Sequence, residues 1–505
     1  MLTESRFLPV GEFLPDQPEY NNPGISVATN VYPLTPTSYG PIPSPVTYSN
    51  AIGARCQGTA AYLDTSDNVL LFAGDVSKLY ELSGGGTSWT DVSGATYTTP
   101  DNGQWKFEYF NNFITATNYA DPIQVFELGV SAAFGDLSVD APRAKYQAFV
   151  RSFLMVANTV DPISLTQPQR VWWSASNDPT SWPTPGSITA AQKQSSYNDI
   201  FGSQGQITGL VGNLGNADAA IFFEHAVWRA VYSGPPVVFS FFPAEGVRGC
   251  PAPNSIVQYG NVCYYLGEDG FYVFDGMTSK PIGANKVDKT FYSDVDNSYL
   301  DRVYGAVDPT NKQILWAYPG NGNSNGIPNH ILIYNWDLDR WSYAEITCEI
   351  ISRLMTVGYT LDELYTVLGY LLDDVPGSLD SSLWTGGQVI LSVFDDTHKL
   401  NFLQGENLAV TIQTSEQQFF NGKKARIKNS RPIVDGAVTP SVSIGVRDRQ
   451  VDNVIFTSAI SLNALGLCPV RTSGRYIRGQ ITLPANSNFG NIVGLEIMGT
   501  QAGIR

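Results

Sequence analysis

Six short aromatic strands recur along this chain at nearly constant spacing, and that period limits the possible folds more than any other feature. They are Lys78-Leu-Tyr80-Glu-Leu82, Gln124-Val-Phe126-Glu-Leu128, Arg170-Val-Trp172-Trp-Ser174, Ala226-Val-Trp228-Arg-Ala230, Phe271-Tyr-Val-Phe274-Asp275 and Ile331-Leu-Ile-Tyr334-Asn335. The intervals between their central aromatics are 46, 46, 56, 46 and 60 residues. Before each lies a second apolar run, such as Val69-Leu-Leu-Phe-Ala73, Phe153-Leu-Met-Val-Ala157 or Val262-Cys-Tyr-Tyr-Leu266. In the fifth unit the two runs are joined by Gly267-Glu-Asp-Gly270, a turn in which glycine supplies positive φ without a Cβ clash. A unit of this length with about four short strands cannot bury both faces alone, so it stacks radially on its neighbours as a propeller blade.

Composition agrees with that reading. Charged residues make up only 15% of the 505, against about 25% in an ordinary globular chain. With 47 Gly and 31 Pro the chain is built for turns rather than for surface helices. The segment from Pro9 to Pro45 carries proline after proline with aromatics between, which favours an extended arm whose apolar side chains (Phe7, Phe13, Leu14, Tyr20, Val31, Tyr32) need a neighbour to cover them. Val389–Phe394, Lys399–Phe402 and Leu408–Ile412 read as strands that complete a seventh blade or close the ring. Two helices interrupt the pattern: one opened by the capping-box form Thr360-Leu-Asp-Glu363, and one on the stripe Val287, Phe291, Val295, Tyr299 and Leu300. The expected fold is all-β: an extended Pro-rich N-terminal arm over 1–45, a six- or seven-bladed β-propeller over 46–420, and a small C-terminal β-sandwich-like basic domain over 421–505.

The boundary at 421 comes from charge. The formal net charge of −16 divides into 11 basic and 4 acidic residues over 421–505, a net of +7, and 19 basic and 42 acidic before it, a net of −23. A chain so acidic does not coat nucleic acid through a general basic surface, so any DNA contact is local. The cluster Lys423, Lys424, Arg426, Lys428, continued by Arg431, is the candidate for contact with DNA phosphate or an acidic partner. Its alternation of charge with apolar residues also fits an exposed edge strand guarded against pairing. The five cysteines are far apart and odd in number, which reads as reduced thiols, and three histidines leave little for a metal site. The first twenty residues lack a secretory h-region, and no run reaches the ~20 apolar residues of a membrane span, so no membrane anchor is expected.

Catalytic patterns are sparse. There is no phosphate loop of the G-x-x-x-x-G-K-[ST] type and no G-x-S-x-G elbow. The adjacent carboxylates Glu268–Asp269, Asp373–Asp374 and Asp395–Asp396 read as solvated turns, because glycosidases need two carboxyls at a set separation across a cleft. Ser174–Trp182 and Ser83–Trp89 look loosely like the Asp-box turns of sialidase-type propellers, which hold blades together. No catalytic residue, cofactor or metal is expected.

Arg170–Trp182, Gly358–Leu364, Ser378–Ser381, Val393–Leu400, Gly474–Arg478 and Gly503–Arg505 together resemble the bacteriophage tail hub proteins related to the packaged-DNA stabilisation protein of short-tailed phages. That resemblance implies a structural β-propeller subunit of a homo-oligomeric ring, commonly hexameric. The ring would form a tail nozzle below the portal and adaptor, retaining DNA and conducting it non-specifically at ejection. It implies assembly in the host cytoplasm, residence in the virion tail, and contact with the adaptor and other tail proteins. The rival expectation is a glycan-binding or glycan-cleaving propeller, whose mark would be arginines with a tyrosine and a carboxylate at the centre.

Overall fold

A computed structural model describes residues 4–63, 68–82, 86–161, 163–356 and 389–502. The expected helix at 360–363 and the pair Asp373–Asp374 lie outside them, as do the Gly358–Leu364, Ser378–Ser381 and Gly503–Arg505 matches and part of the Ser83–Trp89 turn.

The architecture is all-β and propeller-like, made of small antiparallel sheets in chain order. The first sheet is Gly58–Leu63, Val69–Gly74, Leu79–Leu82 and Thr90–Asp91. The second is Lys106–Phe110, Phe113–Thr117, Gln124–Glu127 and Gly135–Asp136, and the third is Arg143–Val150, Phe153–Asp161, Leu165–Trp173 and Ser196–Asp199. Ile207–Leu214, Ala217–Phe223, Val227–Gly234 and Val238–Glu245 form the fourth; Val257–Tyr259, Val262–Leu266, Phe271–Phe274 and Ser279–Pro281 form the fifth. A sixth quartet, Tyr304–Asp308, Gln313–Tyr318, His330–Asn335 and Arg340–Glu345, is part of a larger sheet. The last takes Ile350–Met355, Val389–Phe394 and Lys399–Asn407 from late in the chain and Pro43–Ala51 from its beginning. Each of the six aromatic beats lies on the third strand of its sheet, and the run before it is the second. The period in the sequence is therefore the buried middle of each sheet.

Neighbouring sheets share buried cores. Phe72 of the first packs edge-on against Phe126 of the second at 5.6 Å. Phe110 of the second stacks on Phe149 of the third at 4.6 Å. Phe222 of the fourth meets Phe274 of the fifth at 6.1 Å, and one cluster joins Leu71 and Tyr80 of the first sheet to Phe402 of the last and Ile331 of the sixth. The first strands approach so closely that glycine is required. A Cβ on Gly212 would lie 2.2 Å from the Phe149 carbonyl oxygen, and one on Gly305 would lie 2.3 Å from Val257 Cγ2.

Part of the acid excess belongs to turns. Asp75 accepts from the amides of Ser77 and Lys78, each at 2.7 Å; Asp275 accepts from Met277 at 2.9 Å and Thr278 at 2.8 Å. Asp395 does the same for Thr397 at 2.8 Å and Lys399 at 3.1 Å. These are Asx turns, in which a short acidic side chain replaces a backbone acceptor. The Ser174–Trp182 segment is also a turn, with Asp178 accepting from the Thr180 amide at 3.1 Å and Trp182 Nε1 donating to the Pro179 carbonyl at 2.8 Å. The second expected helix is shorter than its stripe. It runs Asp288–Asp294, and Val295 leaves it in an extended conformation before a 3-10 turn at Asn297–Arg302.

The segment expected to be an extended arm covered by a neighbour is woven into the C-terminal strands of its own chain. Glu4–Pro9 pairs antiparallel with Phe489–Gln501, and Ile25–Thr29 lies between Arg340–Glu345 and Val410–Thr414. Val31–Thr35 and Ser38–Pro41 form a hairpin that reaches the same C-terminal strand through Tyr39 and Ile492. Leu8, Val10, Phe13 and Tyr39 are buried against Ile427, Ile444, Ile481, Leu495 and Ile497. Proline density argued only for extension. Phe13 and Val31 are covered with the help of strands from the far end of the chain, whereas Phe7 and Tyr20 stay exposed.

Candidate functional site at the sheet axis

The segments leading into the first strands of several sheets converge. Arg55 precedes the first sheet, Asp101 the second, Asn254 the fifth, and Asp301 and Arg302 the sixth. The Arg302 guanidinium reaches Asp101 at 2.7 Å and donates to the Asn325 carbonyl at 2.6 Å. Arg55 contacts the same carboxylate at 3.4 Å and the Tyr304 hydroxyl at 3.5 Å. Lys106, at the start of the second sheet, donates to Asn254 Oδ1 at 3.0 Å, and the Asn254 amide donates to the Asp301 carbonyl at 2.6 Å. These bonds tie sheets that are distant in the sequence across their common centre. A further tie closes the first sheet on the last, where Glu349 accepts from the Cys56 amide at 2.8 Å and meets His398 Nδ1 at 2.6 Å.

The environment alters the titration of these groups. Burial pushes the Lys106 ammonium down to about 8 and the Glu108 carboxyl up to about 7. Burial also lowers Lys145 and raises Asp301. A lysine and a carboxyl that both change charge near neutrality, in a polar recess, are a recognised sign of a binding or reactive site. Sequence reasoning missed them because Lys106-Phe-Glu108 is an unremarkable strand fragment, and its significance comes from the strands of other sheets around it.

The five basic residues singled out in the sequence are near one another but not alike. Ala425–Gly436 pairs with Phe489–Gln501 on one side and, over Ala425–Ile427, with Thr472–Gly474 on the other. Over Ala425–Ile427, which includes Arg426, it is therefore not an edge strand, whereas Lys428 and Arg431 lie beyond that stretch. Lys424 is paired with Asp448, Arg431 lies 3.6 Å from Glu496, and Lys423 Nζ is 3.4 Å from Gln501 Oε1. Arg426 and Lys428 are exposed, with no ion pair among the described residues. Arg426 is opposite Ser473, and Lys428 is the extra residue at a bulge between Ile427 and Asn429. Other C-terminal cations are neutralised from outside the 421–505 block: Arg447 by Glu416 at 2.6 Å and Arg478 by Glu19 at 2.9 Å. The block of +7 in the sequence is smaller in space.

The glycan reading asked for arginines, a tyrosine and a carboxylate at the centre, and Arg55, Arg302, Tyr304 and Asp101 are such a group. Asp101 already occupies both guanidinium groups. All five cysteines are buried and unpaired, and burial pushes the Cys250 and Cys348 thiols up to about 12.

No family model and no curated protein matches the chain. Among solved structures it is similar to a chain of the mitotic checkpoint complex at 9% identity and TM-score 0.38, covering 72% of this chain and 94% of that one. It is similar to the extracellular domain of a hybrid two component system from B. thetaiotaomicron at 8% identity and TM-score 0.41, covering 79% and 44%. A third likeness is to the computationally designed Ika8 protein, at 8% identity and TM-score 0.35, covering 70% and 98%. At these scores the likenesses carry no argument about what the chain does.

Proposed function

We propose that this chain is a structural subunit of a bacteriophage tail, forming a hub or nozzle ring that retains packaged DNA and conducts it at ejection. In this reading the sheets are the blades of one seven-bladed propeller, closed by Pro43–Ala51 pairing with Lys399–Asn407. The interleaved terminal strands are a small β-sandwich on its flank. The observation that carries the proposal is the segregation of charge: a strongly acidic run of sheets, and Arg426 and Lys428 exposed and unpaired among the described residues of the terminal unit. An acidic run of sheets and exposed cations elsewhere on the same chain suit a head-to-tail contact, which closes into a ring when the rotation permits. The quoted sequence resemblance points to the same assembly, with an adaptor and other tail proteins as neighbours, in the virion.

DNA would not pass through the propeller's own axis. Bonds of 3.0 Å from Lys106 to Asn254 and 2.7 Å from Arg302 to Asp101 cross it, whereas the major groove of a duplex alone is about 12 Å wide. The conduit would be the lumen enclosed by several copies, and acidic walls there would let DNA slide without sticking. Electron microscopy of the purified chain, with and without tail partners, tests this. A symmetric ring with an acidic lumen is expected, and a basic lumen or a stable monomer would refute it.

A glycan-binding reading keeps one observation in its favour, the group Arg55, Arg302, Tyr304 and Asp101. Retention of the chain on an immobilised acidic glycan, lost in Arg302→Ala, would favour it over the ring.

A further inference from the structure

The outer face of the terminal sheet sets apolar side chains among its cations. Phe7, Glu496 and Arg431 lie directly opposite one another on Glu4–Pro9, Phe489–Gln501 and Ala425–Gly436, and residues opposed in this way project to the same side of a sheet. Ile433, two positions beyond Arg431 and opposite Gly494, shares that side. In the other direction Met498 is opposite Asn429 and Thr500 opposite Arg426, with Lys428 at the bulge between them. The reverse side is the buried one, where Leu8, Ile427, Leu495 and Ile497 join the core. Gly494 makes room for the aromatic ring, because a Cβ there would lie 2.4 Å from Phe7 Cζ. Phe7 is thus seated over the glycine, yet it is 48% exposed; Ile433 is 37% exposed and Met498 half-buried.

We propose that this face docks one copy of the chain onto the acidic sheets of another, with Phe7 as the central anchor. The proposal rests on the reading that copies of the chain associate, though not on their closing into a ring. An apolar centre rimmed by Arg426, Lys428 and Arg431 matches an acidic protein surface that carries apolar side chains of its own. Every other copy offers one: residues 1–420 hold 42 acidic against 19 basic side chains, and Val139, 95% exposed, is followed directly by the exposed Asp140. DNA phosphate would satisfy the cations but leave Phe7, Ile433 and Met498 without apolar partners. Two such faces meeting each other would oppose cation to cation, so the contact runs head to tail. A ring already seated over Gly494 loses little freedom when covered, which suits an anchor.

Hydroxyl-radical footprinting of the unaltered chain over a dilution series, read by mass spectrometry, tests the face without a variant. Phe7 and Met498 should be labelled in the monomer and protected in the assembly. In sedimentation experiments Phe7→Ala should raise the dissociation constant of the assembly at least about thirtyfold, as the loss of an anchor predicts, with the circular dichroism of the monomer unchanged. Equal labelling of Phe7 in monomer and assembly, or an unaltered dissociation constant in Phe7→Ala, would overturn the proposal and leave the ring reading standing. A dimer or open chain that protects Phe7 would support the proposal and refute the ring. A chain that stays monomeric at every concentration would overturn both.

Discussion

Lys106 at the start of the second sheet donates to Asn254 ahead of the fifth at 3.0 Å, joining two parts of the chain separated by 148 positions. Asn254 passes the link on to the Asp301 carbonyl. In Asn254→Ala the half-buried ammonium loses its acceptor and the carbonyl its donor. The expected cost is about 1–3 kcal/mol, read from urea unfolding midpoints, and an unchanged midpoint would show that the bridge carries no stability.

Glu108 sets a pH dependence. Its carboxyl holds its proton to about pH 7 in the folded chain, whereas an unfolded glutamate titrates near 4.3. Between those values the folded state binds the extra proton, so this group adds stability as pH falls from about 7 and withdraws it as pH rises. Glu108→Gln should be more stable than the unaltered chain at about pH 8, by on the order of 1–3 kcal/mol. The difference should shrink towards zero near pH 4.3. A difference independent of pH would contradict this assignment.

Gly212 is where the first strand of the fourth sheet crosses the third. Gly212→Ala places a Cβ 2.2 Å from a carbonyl oxygen, and the strands must part. The loss is expected to be about 1–3 kcal/mol, whereas alanine at Gly129, where a Cβ meets nothing within 4 Å, probes backbone strain at φ 75° alone.

Closure by the early strand predicts that Tyr48 matters for stability although it precedes all six aromatic repeats. Its ring lies 4.7 Å from Phe402 and it is 8% exposed. Tyr48→Ala should cost about 3–5 kcal/mol, with hydrogen exchange accelerated first in Lys399–Asn407. Uniform acceleration over all the sheets would indicate a general loss instead.

The second strands of the sheets and the aromatic parts of their third strands were legible in the sequence because they are largely buried and read as apolar and aromatic runs. Their first strands were not. Gly58–Leu63 and Lys106–Phe110 mix glycine, polar and charged residues because they face the axis and each other at close range. The pairing of Glu4–Pro9 with Phe489–Gln501 was hidden for another reason: nothing local in Glu4-Ser-Arg-Phe-Leu-Pro9 specifies a partner nearly 500 positions away. The basic cluster was found by composition, but which of its cations stay unpaired depends on Asp448 and Glu496 reaching Lys424 and Arg431 from elsewhere in the chain. The Lys106–Glu108 recess carried no motif at all.

Native mass spectrometry of the unaltered chain beside Arg426→Glu/Lys428→Glu tests the central claim most directly. Both side chains are exposed, so the substitutions should leave the fold intact within about 0.5 kcal/mol while reversing the charge of the docking face. A closed ring of defined copy number for the unaltered chain, dissolved to monomers in the variant and by raised salt, is the predicted result. A monomer in both, or a ring indifferent to the reversal, would contradict it.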